Sequence, residues 1–239
     1  MILLRSALFN LYFFGLTFLL CLVGWPLCKL APERTLAVPR LWARSVLAGL
    51  RAICGIGYEV RGLQHLPHEG PALLASRHQS AFDTMVWLVL LPRPCYVIKR
   101  ELQRIPLFGA MIEPSGMIVV DRAAGPAALR HLLHETDRVV AEGKQVVIFP
   151  EGTRSDPGRM RPLQPGIAAM AARAKLPVIP VLTDSGRYWG RRAFRKLPGT
   201  IRIELLSPIP SGDGREALMQ SLARTLAGEP AAAVDKSVG

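Results

Sequence analysis

The chain has 239 residues, half of them hydrophobic, and Lys plus Arg exceed Asp plus Glu by 30 to 18, a formal charge of +12. That much apolar material excludes a disordered chain, and charge spread through most of the sequence excludes a polytopic membrane protein. The length suits one large domain, or one domain with an appendage. A basic yet apolar chain leaves nucleic acid or an anionic membrane surface as partner.

The first element is residues 7–28, ALFNLYFFGLTFLLCLVGWPLC, with no ionisable group except the Tyr12 phenol and with Arg5 and Lys29 as flanks. At about 1.5 Å per residue, such a helix is roughly 33 Å long, enough for a hydrocarbon core of about 30 Å. The stretch is too long for the core of a cleaved signal peptide, and no A-x-A site follows. Pro26 is expected to bend or end the helix. Cations are concentrated after it (Lys29, Arg34, Arg40, Arg44, Arg51), which predicts that the remainder of the chain stays on the cytoplasmic side. Residues 40–54 form a second helix, with Arg40, Arg44 and Arg51 near one side. It reads either as an amphipathic helix at a membrane interface or as a docking helix of the domain. Beside an anchor, the interface is favoured.

From Gly55 onward, short apolar runs alternate with helical stretches. Strands are expected at 58–60, 72–76, 95–98, 117–120, 145–149, 178–182 and 201–205, and helices at 81–91, 125–142, 165–174 and 215–227. This alternation predicts an α/β fold with a mixed, largely parallel sheet flanked by helices. Ligands in such sheets gather at the carboxyl ends of the strands. The expected organisation is a membrane-anchoring segment at 1–54, an α/β domain at 55–227 and a disordered tail at 228–239. Cys21, Cys28, Cys54 and Cys95 have neither C-x-x-C nor zinc spacing, and His131 and His134 lack an H-E-x-x-H context, so no metal is expected.

The chain contains no G-x-S-x-G nucleophile elbow and no phosphate-loop motif. Three other signals stand at strand ends. In RHQSAFD (77–83), His78 and Asp83 are five apart. They meet only if His78 lies in the loop before the helix and Asp83 in its first turn, with Ser80 as N-cap. The carboxylate would then fix the imidazole tautomer and leave the other ring nitrogen as a base. Ser80 to Asp83 equally has the form of a capping box. In FPEGTRS (149–155), Gly152 permits a sharp turn, Thr153 and Ser155 present hydroxyls, and Arg154 has a planar fork suited to phosphate. Glu151 is placed to orient Arg154 or a substrate hydroxyl; the same pattern also fits a salt-bridged turn. Lys99, Arg100 and Arg122 end two further strands, and with Arg154 would make an anion pocket, although solvated surface cations are the ordinary alternative.

In order, His-x4-Asp, Lys-x-Glu-Leu, Gly…Asp-Arg, Phe-Pro-Glu-Gly-Thr-Arg and Pro177-Val-Ile-Pro180-Val resemble the four blocks of glycerolipid acyltransferases, most closely the bacterial 1-acyl-sn-glycerol-3-phosphate acyltransferases. The resemblance covers roughly residues 55–210. It implies that His78 is the general base on a glycerol hydroxyl, oriented by Asp83, and that the hydroxyl attacks an acyl thioester without an acyl-enzyme. It further implies that Lys99, Arg122 and Arg154 hold the acceptor's phosphate, that Glu151, Gly152 and Thr153 shape the acceptor site, and that Pro180 belongs to the nearby scaffold. No cofactor is implied beyond acyl-CoA or acyl-carrier protein as donor. The partners expected are lysophosphatidic acid, that donor and the lipid bilayer, with no nucleic acid, and the place is the inner membrane with the catalytic domain on its cytoplasmic face. Arg77, where the family often has Asn, and Val119, where it often has Phe, leave acceptor preference open. A lyso-ornithine lipid is the alternative acceptor, and a basic, anchored lipid- or nucleic-acid-binding module the alternative from another class.

Overall fold

The computed structural model describes residues 1–30, 35–105, 109, 112 and 115–231, without the side chains of residues 25, 27–30 and 122. The elements follow the expected order. Two helices, α1 (Ile2–Leu30) and α2 (Ala37–Cys54), precede β1 (Ile56–Arg61) and β2 (Ala72–Ser76). Then come α3 (Phe82–Leu90), β3 (Pro94–Lys99), β4 (Ile118–Val120) and α4 (Pro126–Ala141). After β5 (Gln145–Ile148) and α5 (Gly166–Ala174), β6 (Val178–Thr183) leads through one helical turn, α6 (Ser185–Tyr188), to β7 (Gly199–Leu205) and α7 (Arg215–Leu226).

The seven strands form one sheet in the order β1-β7-β6-β2-β5-β3-β4. Only β6 and β7 pair antiparallel; the other neighbours are parallel. The five strands from β6 to β4 therefore point the same way, and their carboxyl ends line one edge. Strands β2, β5 and β6 are buried at every residue, as strands covered on both faces must be. Alternation divides the core. Leu74, Val147, Ile179 and Val181 meet α1, α2 and α3 on one face, while Leu73, Ala75, Val146 and Ile148 meet α4, α5 and α7 on the other.

Helix α2 buries Ala43, Val46, Leu47, Leu50 and Cys54 in the first of these clusters. Its apolar face is thus turned to the sheet, and the exposed face carries Leu41, Arg44, Ala48 and Arg51. Gly55 ends it in the left-handed conformation (φ 68°), donating its N–H to the Arg51 and Leu50 carbonyls, a geometry that glycine adopts without steric cost.

Helix α1 continues past Pro26, which removes only one backbone donor, and lies antiparallel along α2. The Arg5 carbonyl accepts from the Cys54 thiol, the Tyr12 hydroxyl donates to the Ser45 carbonyl, and Trp42 Nε1 donates to Thr17 Oγ1. Val38 packs on Leu20 and Cys21. The first half of α1 is fastened to the body as well. Ser6 Oγ accepts from the Lys196 N–H at 2.9 Å, and Phe9 meets Trp189 edge-on. The buried Lys196 ammonium donates to Asn10 and to the Phe194 carbonyl, among the rings of Phe9, Trp189 and Phe194. Leu4, Leu8, Leu11, Phe14, Phe18 and Leu22 stay exposed on the opposite side.

The expected tail begins with residues that are bound to the domain. The Ala231 N–H donates to Glu204, Glu229 pairs with Arg187, and the Gly228 carbonyl accepts from Arg77. Residues 232–239 lie outside the described residues.

Candidate active site

The carboxyl edge of the sheet brings three signals together. β2 and β5 are in register with Ala75 opposite Ile148, so the segments that follow, Arg77-His78 and Phe149-Pro150-Glu151, leave the sheet side by side. His78 sits in the loop and Asp83 in the first turn of α3, as their spacing requires. Asp83 Oδ2 lies 3.2 Å from His78 Nδ1 and also accepts the N–H groups of Gln79 and Ser80 at 2.7 and 2.8 Å. Ser80 Oγ accepts from the Phe82 N–H at 3.2 Å. The N-cap of α3 is Ala81, not Ser80, and Asp83 is both the anchor of the loop that leads into the helix and the partner of the imidazole. An acceptor-only carboxylate at Nδ1 puts the ring proton there, and Nε2 is left with its lone pair. Among the described residues Nε2 has no hydrogen-bond partner.

The imidazole stacks on Phe149, with ring centroids 4.1 Å apart and planes at 20°. Tyr96 stacks on the far side of this aromatic group and donates its hydroxyl to the Thr84 carbonyl at 2.8 Å, tying the first turn of α3 to β3. The peptide of His78 is held by the second motif. Its N–H faces Glu151 Oε1 at 3.4 Å, and its carbonyl accepts from the Ser155 N–H at 2.8 Å and the Ser155 hydroxyl at 3.4 Å. Gly152 makes the turn that allows this, at φ 73°, with its N–H on the Phe149 carbonyl.

Arg154 is half-buried. Burial pulls its guanidinium below the ordinary range; Asp83 opposes the shift and Arg191 adds to it. Among the described residues no carboxylate pairs with Arg154. A desolvated cation near a histidine-aspartate pair, without a counter-charge of its own, suits an anionic ligand. Thr153 beside it is partly exposed. Lys99 ends β3 exposed and, among the described residues, unpaired, opposite Val120 in the register, whereas Arg100 is engaged by Asp121 at 2.9 Å. The side chain of Arg122 and residues 106–108 of the Lys-x-Glu-Leu block lie outside the described residues. At about 4.8 Å per strand, β3 is about 10 Å and β4 about 14 Å from β2, so the main chain at Lys99 and Arg122 leaves the sheet two and three strands away from that of His78. Glu151 differs in kind, because its side chain is fully buried. Among the described residues, no group of three or more His, Cys, Asp and Glu side chains converges as a metal site would.

Sequence reasoning gave no role to Phe149, Tyr96 or Arg77. Phe149 stands inside a quoted motif, and an aromatic residue at the strand end next to that of the histidine was the available signal. Arg77 stood out only as a departure from the Asn common in the family; its burial had no signal, since its partners are 74, 82 and 151 positions away.

A histidine–aspartate pair at a strand end, with Nε2 free of a hydrogen-bond partner among the described residues, has the form of a proton acceptor for a bound hydroxyl, as group-transfer enzymes use. The family model described as Acyltransferase matches residues 57–184. The chain is 34% identical over 215 residues to the 1-acyl-sn-glycerol-3-phosphate acyltransferase of Pseudomonas aeruginosa, covering 88% of this chain and 82% of that one. It is 28% identical over 208 residues to the human 1-acyl-sn-glycerol-3-phosphate acyltransferase alpha, covering 84% and 73%. Its fold matches the crystal structure of the 1-acyl-sn-glycerophosphate (LPA) acyltransferase PlsC from Thermotoga maritima, with a TM-score of 0.71 at 20% identity over 94% of this chain and 96% of that one. The chain belongs to the 1-acyl-sn-glycerol-3-phosphate acyltransferase family.

Proposed function

We propose that the enzyme transfers an acyl chain from acyl-CoA or acyl-carrier protein to the free hydroxyl of 1-acyl-sn-glycerol 3-phosphate, giving phosphatidic acid. The observation that carries the reading is the His78–Asp83 pair with Nε2 open at the sheet edge, near the unpaired Arg154. His78 Nε2 takes the hydroxyl proton as the hydroxyl oxygen attacks the thioester carbonyl. The tetrahedral oxyanion collapses, the C–S bond breaks, and the imidazolium returns the proton to the leaving thiolate. Asp83 holds the ring and faces the positive charge that it acquires. Arg154, with Lys99 and Arg122, holds the acceptor's phosphate, and Gly152 and Thr153 shape that site.

The same reading includes the bilayer as a partner, on the cytoplasmic face of the inner membrane. What supports it is the exposed apolar side of α1, together with Phe194 and Leu197 of the loop that docks the helix, which are 52% and 43% exposed. Arg191, Arg192 and Arg195 are exposed close by in sequence, and residues 151–202 hold eleven Lys plus Arg against three Asp plus Glu. Cations beside apolar side chains fit an anionic lipid surface.

The test is thiol release from acyl-CoA and acyl-carrier protein by purified enzyme, with lysophosphatidate and a phosphate-free lyso-lipid as acceptors. Wild type is expected to need lysophosphatidate, and His78→Ala to release thiol only at background. Activity confined to the phosphate-free acceptor would refute the assignment, and so would equal release by both enzymes.

A further inference from the structure

Arg77 and Glu151 are an ion pair sealed beneath the site, with side chains 2% and 0% exposed. Removing two charges from water is costly, and a surface salt bridge at the same loops would hold the fold with less penalty. The geometry indicates where the carboxylate is used. Glu151 Oε1 faces the His78 N–H at 3.4 Å, and Oε2 accepts the Arg161 N–H at 3.1 Å. Arg77 Nη2 donates to the Arg159 carbonyl at 2.7 Å, Nη1 to the Gly228 carbonyl at 3.4 Å, and Nε stands 3.8 Å from Glu151 Oε1. The guanidinium thus supplies the counter-charge and joins the loops at 77–78, 151–155 and 159–161 to the end of α7. The carboxylate is enclosed by the protein and has no open side for a substrate hydroxyl.

We infer that Glu151 and Arg77 are positioning residues for the base, not ligands of the acceptor. The pair sets the height of the His78 main chain. With Ser155 on the carbonyl and Glu151 on the N–H, the peptide of His78 has one placement in which its ring lies on Phe149 and its Nδ1 meets Asp83. From the position before the histidine, the long Arg77 side chain reaches the buried carboxylate and neutralises it. The inference rests on His78 being the base, and it assigns Glu151 a different role from the one the family resemblance suggested.

The test compares Arg77→Met, Glu151→Gln and the double variant in the full-length enzyme, with kcat per folded molecule, acceptor KM and Tm measured for each. Each single variant leaves a buried charge without its partner, so both should lower Tm. A displacement of the base on the order of 1 Å costs about a hundred-fold in rate. Each single variant should accordingly lose about 10- to 100-fold in kcat while acceptor KM stays within about two-fold. The double variant, which is neutral at both positions, should regain at least ten-fold in kcat over the worse single variant, together with part of the Tm. A rise in acceptor KM of ten-fold or more at unchanged kcat in Glu151→Gln would make Glu151 an acceptor ligand and overturn the inference. A purely structural pair would lower Tm at unchanged kcat and acceptor KM per folded molecule, which also overturns it. Should Arg77→Met not fold, Arg77→Lys keeps the charge without the planar fork and is expected to retain the Tm better than kcat; full kcat in that variant would likewise refute the role. Wild type active only on a phosphate-free lyso-lipid would sink the proposed function, whereas kcat of the same variants on that acceptor would still test the pair.

Discussion

Asp83→Asn separates the charge of the carboxylate from its anchoring role. In the variant one amide oxygen can still accept the Gln79 and Ser80 N–H groups, now at 2.7 and 2.8 Å, so the loop leading into α3 stays anchored. What is lost is the negative charge 3.2 Å from His78 Nδ1. That charge matters little while the imidazole is neutral and most when it becomes an imidazolium in the transition state. With an effective dielectric constant of 20, two unit charges at that separation attract by about 5 kcal/mol. At about 1.4 kcal/mol per decade, the expected loss in kcat is roughly 10³- to 10⁴-fold. The assay is thiol release at saturating lysophosphatidate, with Tm recorded on the same preparation. Asp83→Ala is the contrast: it leaves two buried N–H groups without an acceptor, at about 1–3 kcal/mol each, and should lower stability as well as rate. A folded Asp83→Asn enzyme within ten-fold of the wild-type kcat would refute the electrostatic argument. A loss seen only in acceptor KM would move Asp83 from catalysis to binding.

Arg154→Ala should act mainly through the acceptor. A charge-assisted phosphate contact is worth about 1.5–3 kcal/mol, so acceptor KM is expected to rise about 10- to 150-fold with a smaller effect on kcat, read from initial rates against lysophosphatidate concentration. Lys196→Met should cost about 1–3 kcal/mol in denaturant unfolding followed by Trp fluorescence, since it removes the bonds to Asn10 and Phe194, a loss only partly offset by relief of a desolvated charge. Burial lowers the folded-state value of Lys196 below that of an ordinary lysine, so in alkaline solution the unfolded chain binds this proton more tightly. Wild type should therefore gain stability as pH rises toward the ordinary lysine value, an increment that Lys196→Met lacks. Replacing Arg191, Arg192 and Arg195 together by Gln should remove about 1 kcal/mol each of attraction to anionic lipid. Half-maximal activity would then require roughly a hundred-fold more phosphatidylglycerol vesicles at low salt, and the difference should shrink as salt is added.

Most of the elements were legible because the sequence carries them locally. Strand β2 coincides with its expected run at 72–76, and α4 differs from 125–142 by one residue at each end. The strand order was not legible. The reversal of β7 against β6 depends on pairing across α6 and the loop after it, and no short-range pattern encodes that. The His78–Asp83 contact could be argued from spacing, since a loop followed by a helical turn is the arrangement in which that spacing closes. The burial of Arg77 could not, because its environment is assembled from Glu151, Arg159 and Gly228. Helix α1 shows the intermediate case. Ser6, Asn10 and Thr17 recur at intervals of four and seven, a polar stripe on an otherwise apolar helix, and each finds a partner in Lys196 or Trp42. Length and hydropathy register the apolar side alone; the stripe marks the side that docks.

The pairing of α1 with α2 also fixes a geographical relation within the chain. The start of α1 is joined to the end of α2 and to the loop carrying Lys196, so the hairpin is closed at its base, beside the domain. A hairpin closed in this way can enter a bilayer only from one side and leave by that same side. A reporter fused ahead of Met1 and an epitope placed in the exposed loop around Asp213 must then be reached by the same impermeant reagent, from one compartment.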